Sequence, residues 1–213
     1  LTTNPGSDTD ARWHPDGSVF AFLSVRGEGD DETTAIYRMA PDGGEPEKLY
    51  EHATRIGAFE WSPDGRRIAF VAPEEEAEER KGAKRLGRDV EVERGPGTHR
   101  HLWVLDVGER TAQRLTGASE GAGLATVQSF AWSPDGTRVA YAAAPSAHPV
   151  IAWRTDLYVI APDDPNAEPR RLTRNPGPDG DPIWSPDGRW IYFTGYEADG
   201  YRVGQSRLYR LAL

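Results

Sequence analysis

The side chains able to do chemistry in this chain of 213 residues are few and scattered. His99 and His101 stand two apart and would share one strand face, the beginning of a metal pair, but no third ligand follows at a fixed spacing. A Gly-x-Ser-x-Gly nucleophile elbow is absent: Gly204-Gln-Ser206 lacks the second glycine and runs directly into a strand pattern. Ser62, Ser133 and Ser185 each precede Pro-Asp-Gly, where a small hydroxyl opens a turn rather than attacks a substrate. Asp8/Asp10 and Asp179/Asp181 recur in register, which suits loop capping better than a catalytic carboxylate pair. The glycines follow turns, and none cradles a phosphate ahead of a helix. Together these residues build no catalytic constellation, and no metal or cofactor is expected.

The elements that position them are written far more plainly. One five-residue phrase occurs four times: Trp13-His-Pro-Asp16-Gly17, Trp61-Ser-Pro-Asp64-Gly65, Trp132-Ser-Pro-Asp135-Gly136 and Trp184-Ser-Pro-Asp187-Gly188. Pro pre-sets φ for the first central turn position, Asp suits the second, and Gly closes where φ can be positive. His14 replaces a turn serine and is expected at the surface. Each tryptophan therefore ends a strand. Each next strand carries an apolar–small–aromatic triplet: Phe20-Ala21-Phe22, Ile68-Ala69-Phe70, Val139-Ala140-Tyr141 and Ile191-Tyr192-Phe193. The first and third members share a face and the second points away, so Ala in three of four copies implies close approach of a neighbouring sheet. A third strand begins at Ile36, Leu102, Leu157 and Leu208, and a fourth ends near Leu49, Leu115 and Leu172.

Four short antiparallel strands per unit, repeated every few dozen residues, are the pattern of a propeller blade. The expected fold is all-β: about four blades over 8–50, 56–116, 126–173 and 180–213, forming one incomplete, open part of a larger propeller. Leu1-Thr-Thr-Asn-Pro-Gly6 matches Leu172-Thr-Arg-Asn-Pro-Gly177, so Leu1-Thr2 is expected to be the outer strand of a preceding blade. The alternative is that this strand completes the last blade and closes a four-bladed ring. The repeat tryptophans are expected to anchor the blade cores rather than stack a ligand.

Two segments break the period. Residues 73–100 form an insertion in the second blade with seven Lys/Arg and eight Asp/Glu. Within it, Glu74 to Lys84 has helical charge spacing, with Glu76 and Arg80 at i,i+4, and Asp89 to Glu93 alternates like an exposed strand. Pro145 to Arg154 is a longer loop in the third blade. Insertions in repeat arrays gather on one face and often carry binding. The 73–100 insertion, including Pro73, Glu76, Arg80, Arg88 and Arg100, is accordingly the candidate gating or docking element.

Composition narrows the partners. A formal charge of −9 opposes binding nucleic acid through its phosphates. No apolar run reaches a membrane-spanning length, so no membrane contact is expected. The lack of cysteine excludes a disulfide framework and thiolate metal sites.

The repeat, with Arg67-Ile-Ala-Phe70, Leu157-Tyr-Val159 and Arg171-Leu-Thr173 around it, resembles two groups of propellers. One is the non-catalytic propeller of the prolyl oligopeptidase family of serine peptidases; the other is the Tol-system periplasmic propeller protein. Phe70-Val-Ala-Pro73 with the charged insertion, Arg100-His-Leu-Trp-Val-Leu-Asp106 and Trp153-Arg-Thr-Asp-Leu-Tyr-Val159 favour the acylaminoacyl-peptidase and dipeptidyl-aminopeptidase branch. That resemblance implies a C-terminal α/β-hydrolase domain as partner, carrying the Ser-Asp-His triad and lying outside this chain, with peptides as substrates. It implies a propeller that filters and orients those peptides, in the cytoplasm. The Tol resemblance implies instead a periplasmic protein-binding module.

Overall fold

The computed structural model of the chain describes residues 6–26, 33–73, 99–117, 126–145, 154–164, 167–196 and 205–213. The Leu1-Thr2 strand, the helical and strand patterns within 74–93, the residues Glu76, Arg80 and Arg88, and most of the Pro145 to Arg154 loop lie outside these residues. Among the described residues the secondary structure is all strand and turn.

The strands form four separate antiparallel meanders. The first holds β1 (Asp8–Trp13), β2 (Phe20–Arg26), β3 (Thr33–Met39) and β4 (Glu47–Glu51). The second holds β5 (Ala58–Trp61), β6 (Arg67–Pro73), β7 (Arg100–Asp106) and β8 (Thr111–Arg114). The third holds β9 (Thr126–Trp132), β10 (Val139–Ala144), β11 (Asp156–Ile160) and β12 (Arg170–Arg171). The fourth has three strands, β13 (Asp179–Trp184), β14 (Trp190–Gly195) and β15 (Arg207–Ala212). Among the described residues consecutive sheets pack side by side, while the first and fourth share no such packing, so the array is an open arc of propeller blades.

The Pro-Asp-Gly turns explain why each hairpin forms. All four glycines adopt left-handed φ, between 68° and 74°, a region that costs a side chain but not glycine. Each glycine N–H donates to the carbonyl of the residue before proline, at 2.8–2.9 Å. In the three serine copies the hydroxyl donates to the turn aspartate at 2.6 Å. It also accepts the N–H of the residue at or just before the start of the return strand, Arg67, Arg138 or Trp190. The aspartate in turn accepts the N–H two residues on. These bonds hold the turn and fix the register of the triplet behind it.

Within each sheet the triplet's last residue stacks on an aromatic of the third strand. The pairs are Phe22–Tyr37, Phe70–Trp103, Tyr141–Tyr158 and Phe193–Tyr209, with centroids 5.4–6.1 Å apart. Between sheets lies the main core. Ala21, Leu23 and Ile36 of the first sheet meet Phe59, Trp61, Ile68 and Phe70 of the second, and the same faces meet at the next two junctions. Ala21, Ala69 and Ala140 are fully buried there, as the small second triplet position requires.

The tryptophans need one correction. Trp61, Trp132 and Trp184 are buried, but Trp13 is 60% exposed. The cause is visible at the indole N–H, which bonds not within its own sheet but to the preceding one. Trp61 donates to the Arg12 carbonyl, Trp132 to the Glu60 carbonyl and Trp184 to the Ala131 carbonyl, at 3.1–3.3 Å. The acceptor is always the residue just before the previous tryptophan. Among the described residues no sheet lies before Trp13, and its indole is open beside Phe20.

His14 is the second correction: it is half-buried rather than fully exposed. Its ring sits edge-on to Trp61 at 4.8 Å, with Nε2 3.2 Å from the Gly65 carbonyl. In the second and third sheets an arginine six residues after the tryptophan covers the next indole, Arg67 over Trp132 and Arg138 over Trp184. The first sheet has Val19 at that place. His14 takes over the covering role, which explains why serine is replaced in this copy alone.

Candidate functional site

The sheets present two unlike ends. One carries the four tight Pro-Asp-Gly turns. The other carries every connection from second to third strand and every passage from one sheet to the next. Trp13, Asp16, Gly17, Trp61, Asp64, Gly65, Trp132, Asp135, Gly136, Trp184, Asp187 and Gly188 all belong to the turn end or the sheet junctions beside it. They hold the fold. The loop end is the candidate site.

Three polar junctions line the loop end. At the first, Ser7, Val25, Thr34, His52, Thr54 and Arg55 border a cavity of about 230 Å³. His52 is buried edge-on against Trp103, centroids 4.6 Å apart, and its Nδ1 accepts the Thr54 N–H at 3.2 Å. A neutral ring in that state carries its proton on Nε2. The Thr54 hydroxyl donates to the Pro73 carbonyl at 2.8 Å, anchoring one flank of the charged insertion. Pro73 pairs with Arg100 across β6 and β7, and the Arg100 guanidinium lies over Gly57, where a Cβ would come within 2.7 Å. Glycine at 57 makes room for that arginine. Both flanks of the insertion are therefore tied to the passage between the first and second sheets.

At the second junction His99 and His101 stack, centroids 6.4 Å apart and 26° from coplanar, rather than converging on a point. His101 is fully buried beside the Thr116 hydroxyl, which also accepts the Leu102 N–H. His99 faces the Thr126 hydroxyl at 3.3 Å. Among the described residues no three His, Cys, Asp or Glu side chains gather to hold a metal ion.

The third junction joins the third and fourth sheets through Asp179, which is only 1% exposed. Its N–H donates to the Thr155 carbonyl, the Thr155 hydroxyl donates to its carbonyl, and Asn175 Nδ2 donates to Oδ1 at 3.0 Å. Burial pushes the Asp179 carboxyl above its ordinary pKa, hydrogen bonds from Thr173 and Asn175 oppose that rise, and the Asp156 charge adds to it. Asp156 is likewise raised by burial, against the pull of Arg171, whose Nη2 donates to it at 2.5 Å. A Cβ on Gly195 would meet Asp179 Oδ1 at 2.6 Å, so a side chain here would have to displace the buried carboxylate. Asp10 and Asp181, two residues beyond the recurring Asp8 and Asp179, hold left-handed φ of 55° and 50° at bulges in β1 and β13.

Sequence reasoning placed the turns and the insertion but not these junctions. Thr155, Asn175 and Asp179 lie 24 residues apart at most and meet only because adjacent sheets do. One signal was present: Asp179 stands where the second and third sheets have Ile56 and Val127, both buried. The arginines at 67 and 138, and the paired changes at 14 and 19, were also readable once the repeats are aligned.

No protein-family model matches the chain. It is 31% identical over 189 residues to the uncharacterized peptidase YuxL of Bacillus subtilis, covering 87% of this chain and 21% of that protein. The chain thus spans about a fifth of the length of this curated relative. Its fold matches the putative TolB of Agrobacterium tumefaciens, with TM-score 0.63 and 18% identity, over 100% of this chain and 65% of that one. It also matches the acylaminoacyl peptidase of Pyrococcus horikoshii, with TM-score 0.60 and 18% identity, over 95% of this chain and 30% of that one. The three buried indoles, each bonded to the sheet before it, and these likenesses point the same way: the chain is an open stretch of β-propeller, similar in sequence to a bacterial peptidase and in fold to the propellers of acylaminoacyl peptidase and TolB.

Proposed function

We propose that this chain is the non-catalytic propeller portion of a serine peptidase of the prolyl oligopeptidase type, which filters and orients peptides for a C-terminal α/β-hydrolase domain. The observation that carries the reading is the 31% identity to a peptidase across 87% of the chain, charged insertion included in the span. Rigidity suits the role. Sheets locked to one another by apolar faces and indole hydrogen bonds make a ring wall that admits flexible peptides and excludes folded proteins. The loop end supplies what a passing peptide needs: hydroxyls of Ser7 and Thr34, the His52 imidazole and the Arg55 guanidinium around one cavity. The insertion tied down at Pro73 and Arg100 is the gate or the docking element for the catalytic domain. Such a peptidase works in the cytoplasm.

The test is hydrolysis by the complete polypeptide. It should cleave aminoacyl-nitroanilides, and this chain alone should not. Removing residues 74–98 should shift the longest peptide accepted; identical kinetics across a peptide-length series would remove the gating role. A complete polypeptide inert toward the whole substrate panel would defeat the peptidase reading. The second reading, a periplasmic module that binds protein partners as the Tol resemblance implies, is favoured by the TolB likeness over the entire chain. Capture of a folded partner by the complete protein, without hydrolysis, would support it.

A further inference from the structure

The cavity at the first junction is unusual for so acidic a chain. The sequence carries 34 Asp and Glu and a formal charge of −9, yet no carboxylate lines this cavity. Its polar lining is Ser7, Thr34, His52, Thr54 and Arg55. Arginines elsewhere are committed: Arg38 and Arg110 share Glu47, Arg67 meets Asp163 and Arg171 holds Asp156. Arg55 has neither a carboxylate nor a hydrogen-bond partner among the described residues. Its backbone, by contrast, is pinned on both sides. Before it, the Thr54 N–H donates to His52 Nδ1 at 3.2 Å and the Thr54 hydroxyl to the Pro73 carbonyl at 2.8 Å. After it, Ile56 is 1% exposed and the Gly57 N–H donates to the Val71 carbonyl at 2.8 Å. A fixed connector therefore presents an uncommitted guanidinium at the cavity, which lowers the ordering cost of binding there. The Ser7 and Thr34 hydroxyls also make no hydrogen bond among the described residues. A second guanidinium, Arg100, lies over Gly57 and carries the positive edge toward the flank of the insertion.

We propose that this cavity is a carboxylate subsite for an incoming peptide, the Arg55 guanidinium gripping the two oxygens as a fork while the Ser7 and Thr34 hydroxyls donate to them. The proposal rests on the reading of the loop end as a peptide-handling surface and gives that surface its chemical preference. A planar fork of N–H donors matches a carboxylate in a way that an ammonium or a hydroxyl alone does not. At about 230 Å³ the cavity is small for a whole ligand and suits one anchoring group. Two sources supply that group, the C-terminus of a peptide and an Asp or Glu side chain within it. The connector that carries Arg55 also anchors Pro73 through Thr54, so an anchored peptide lies beside one root of the insertion.

The test is equilibrium binding of three fluorescein-labelled alanine peptides to the complete polypeptide, read by anisotropy on ice with peptide integrity checked by mass spectrometry. One peptide ends in a free carboxylate, one in a carboxamide, and one is a carboxamide with an internal glutamate. The free acid should bind at least about tenfold more tightly than the plain carboxamide. Arg55→Gln should abolish that difference while leaving the carboxamide affinity and the melting temperature as they were, since Arg55 is exposed. Arg110→Gln, which removes a guanidinium already paired with Glu47, should preserve the difference. A glutamate peptide that binds like the free acid assigns the cavity to any carboxylate; one that binds like the plain carboxamide assigns it to the C-terminus. Indistinguishable binding of acid and carboxamide, or a difference that survives Arg55→Gln, would overturn the proposal. Hydrolysis is read separately. A protein that cleaves no peptide but shows the Arg55-dependent difference would defeat the peptidase reading alone, and an active peptidase indifferent to the carboxylate would defeat the subsite alone.

Discussion

At the scale of the residue, the tryptophans separate into two energetic classes although their sequence context is the same. Trp132 is 6% exposed, bonded through its indole N–H to the second sheet and covered by Arg67. Trp132→Ala should cost about 3–5 kcal/mol, whereas Trp13→Ala in this chain should cost well under about 1 kcal/mol, read from denaturant midpoints. Equal losses would show that the indole stabilises its own hairpin instead. The turn aspartates make a second prediction. Asp16, Asp135 and Asp187 are held down to about 2, by Ser18, Ser133 and Ser185 respectively as the main donors, and Asp64 is lowered by Ser62. A folded-state pKa below the unfolded value gives stability that is present above about pH 4 and lost as pH falls toward 2. Melting temperature should therefore fall over that window, and Asp135→Asn should flatten part of the fall. Asp179 has the opposite sign. Burial raises it, so its ionisation opposes folding as pH climbs above about 4, and Asp179→Asn should reduce any decline in melting temperature toward neutral pH.

At the scale of the element, the hairpin is set by a turn that tolerates little. Gly136 has φ of 69°, and an added Cβ would come no nearer than 3.6 Å to Pro63, so Gly136→Ala should cost about 1–2 kcal/mol from the backbone alone. Gly65 has φ of 71° and also faces His14, whose Nε2 would lie 2.0 Å from an added Cβ. Gly65→Ala should cost more than Gly136→Ala, and His14→Ser should remove the excess; calorimetry of the parent, the three single variants and the Gly65→Ala/His14→Ser double variant decides it. The compensation between positions 14 and 19 can be tested in the same way. His14→Ser alone uncovers Trp61 and should destabilise, and adding Val19→Arg should recover most of the loss by rebuilding the cover seen at Arg67 and Arg138. A double variant no more stable than the single one would show that histidine fills a different need.

At the scale of the whole molecule, the array behaves as a row of neighbours rather than one centre. Three apolar clusters lie between sheets, each shared by two, and a fourth, Phe22, Ala35, Tyr37 and Met39, belongs to the first sheet alone. Stability of such an array is a sum of sheet terms and junction terms. Trp184→Ala should therefore loosen the fourth sheet first, raising amide exchange over Asp179–Gly195 and Arg207–Ala212 while leaving the first sheet near its original protection. Uniform loss across all sheets would show a single cooperative unit. The same arrangement makes the loop end the candidate site, because the turn end is spent on register and the flat faces are spent on neighbours.

The repeat by itself determined the strands, the turns and the small residue at the second triplet position, because each follows from local rules: a Pro-Asp-Gly turn, a period of two, and a side chain no larger than a neighbouring sheet allows. Only the tertiary structure decided which way each tryptophan faces. Its hydrogen-bond partner lies 49 to 72 residues earlier, on another sheet, and nothing in the five-residue phrase refers to it. The same holds for His14, for the burial of Asp179 and for the anchoring of Pro73 and Arg100, which all depend on what the adjacent sheet brings into reach. Local geometry writes a hairpin; the junction between hairpins is written in pairs of residues whose meaning appears only when the sheets stand side by side.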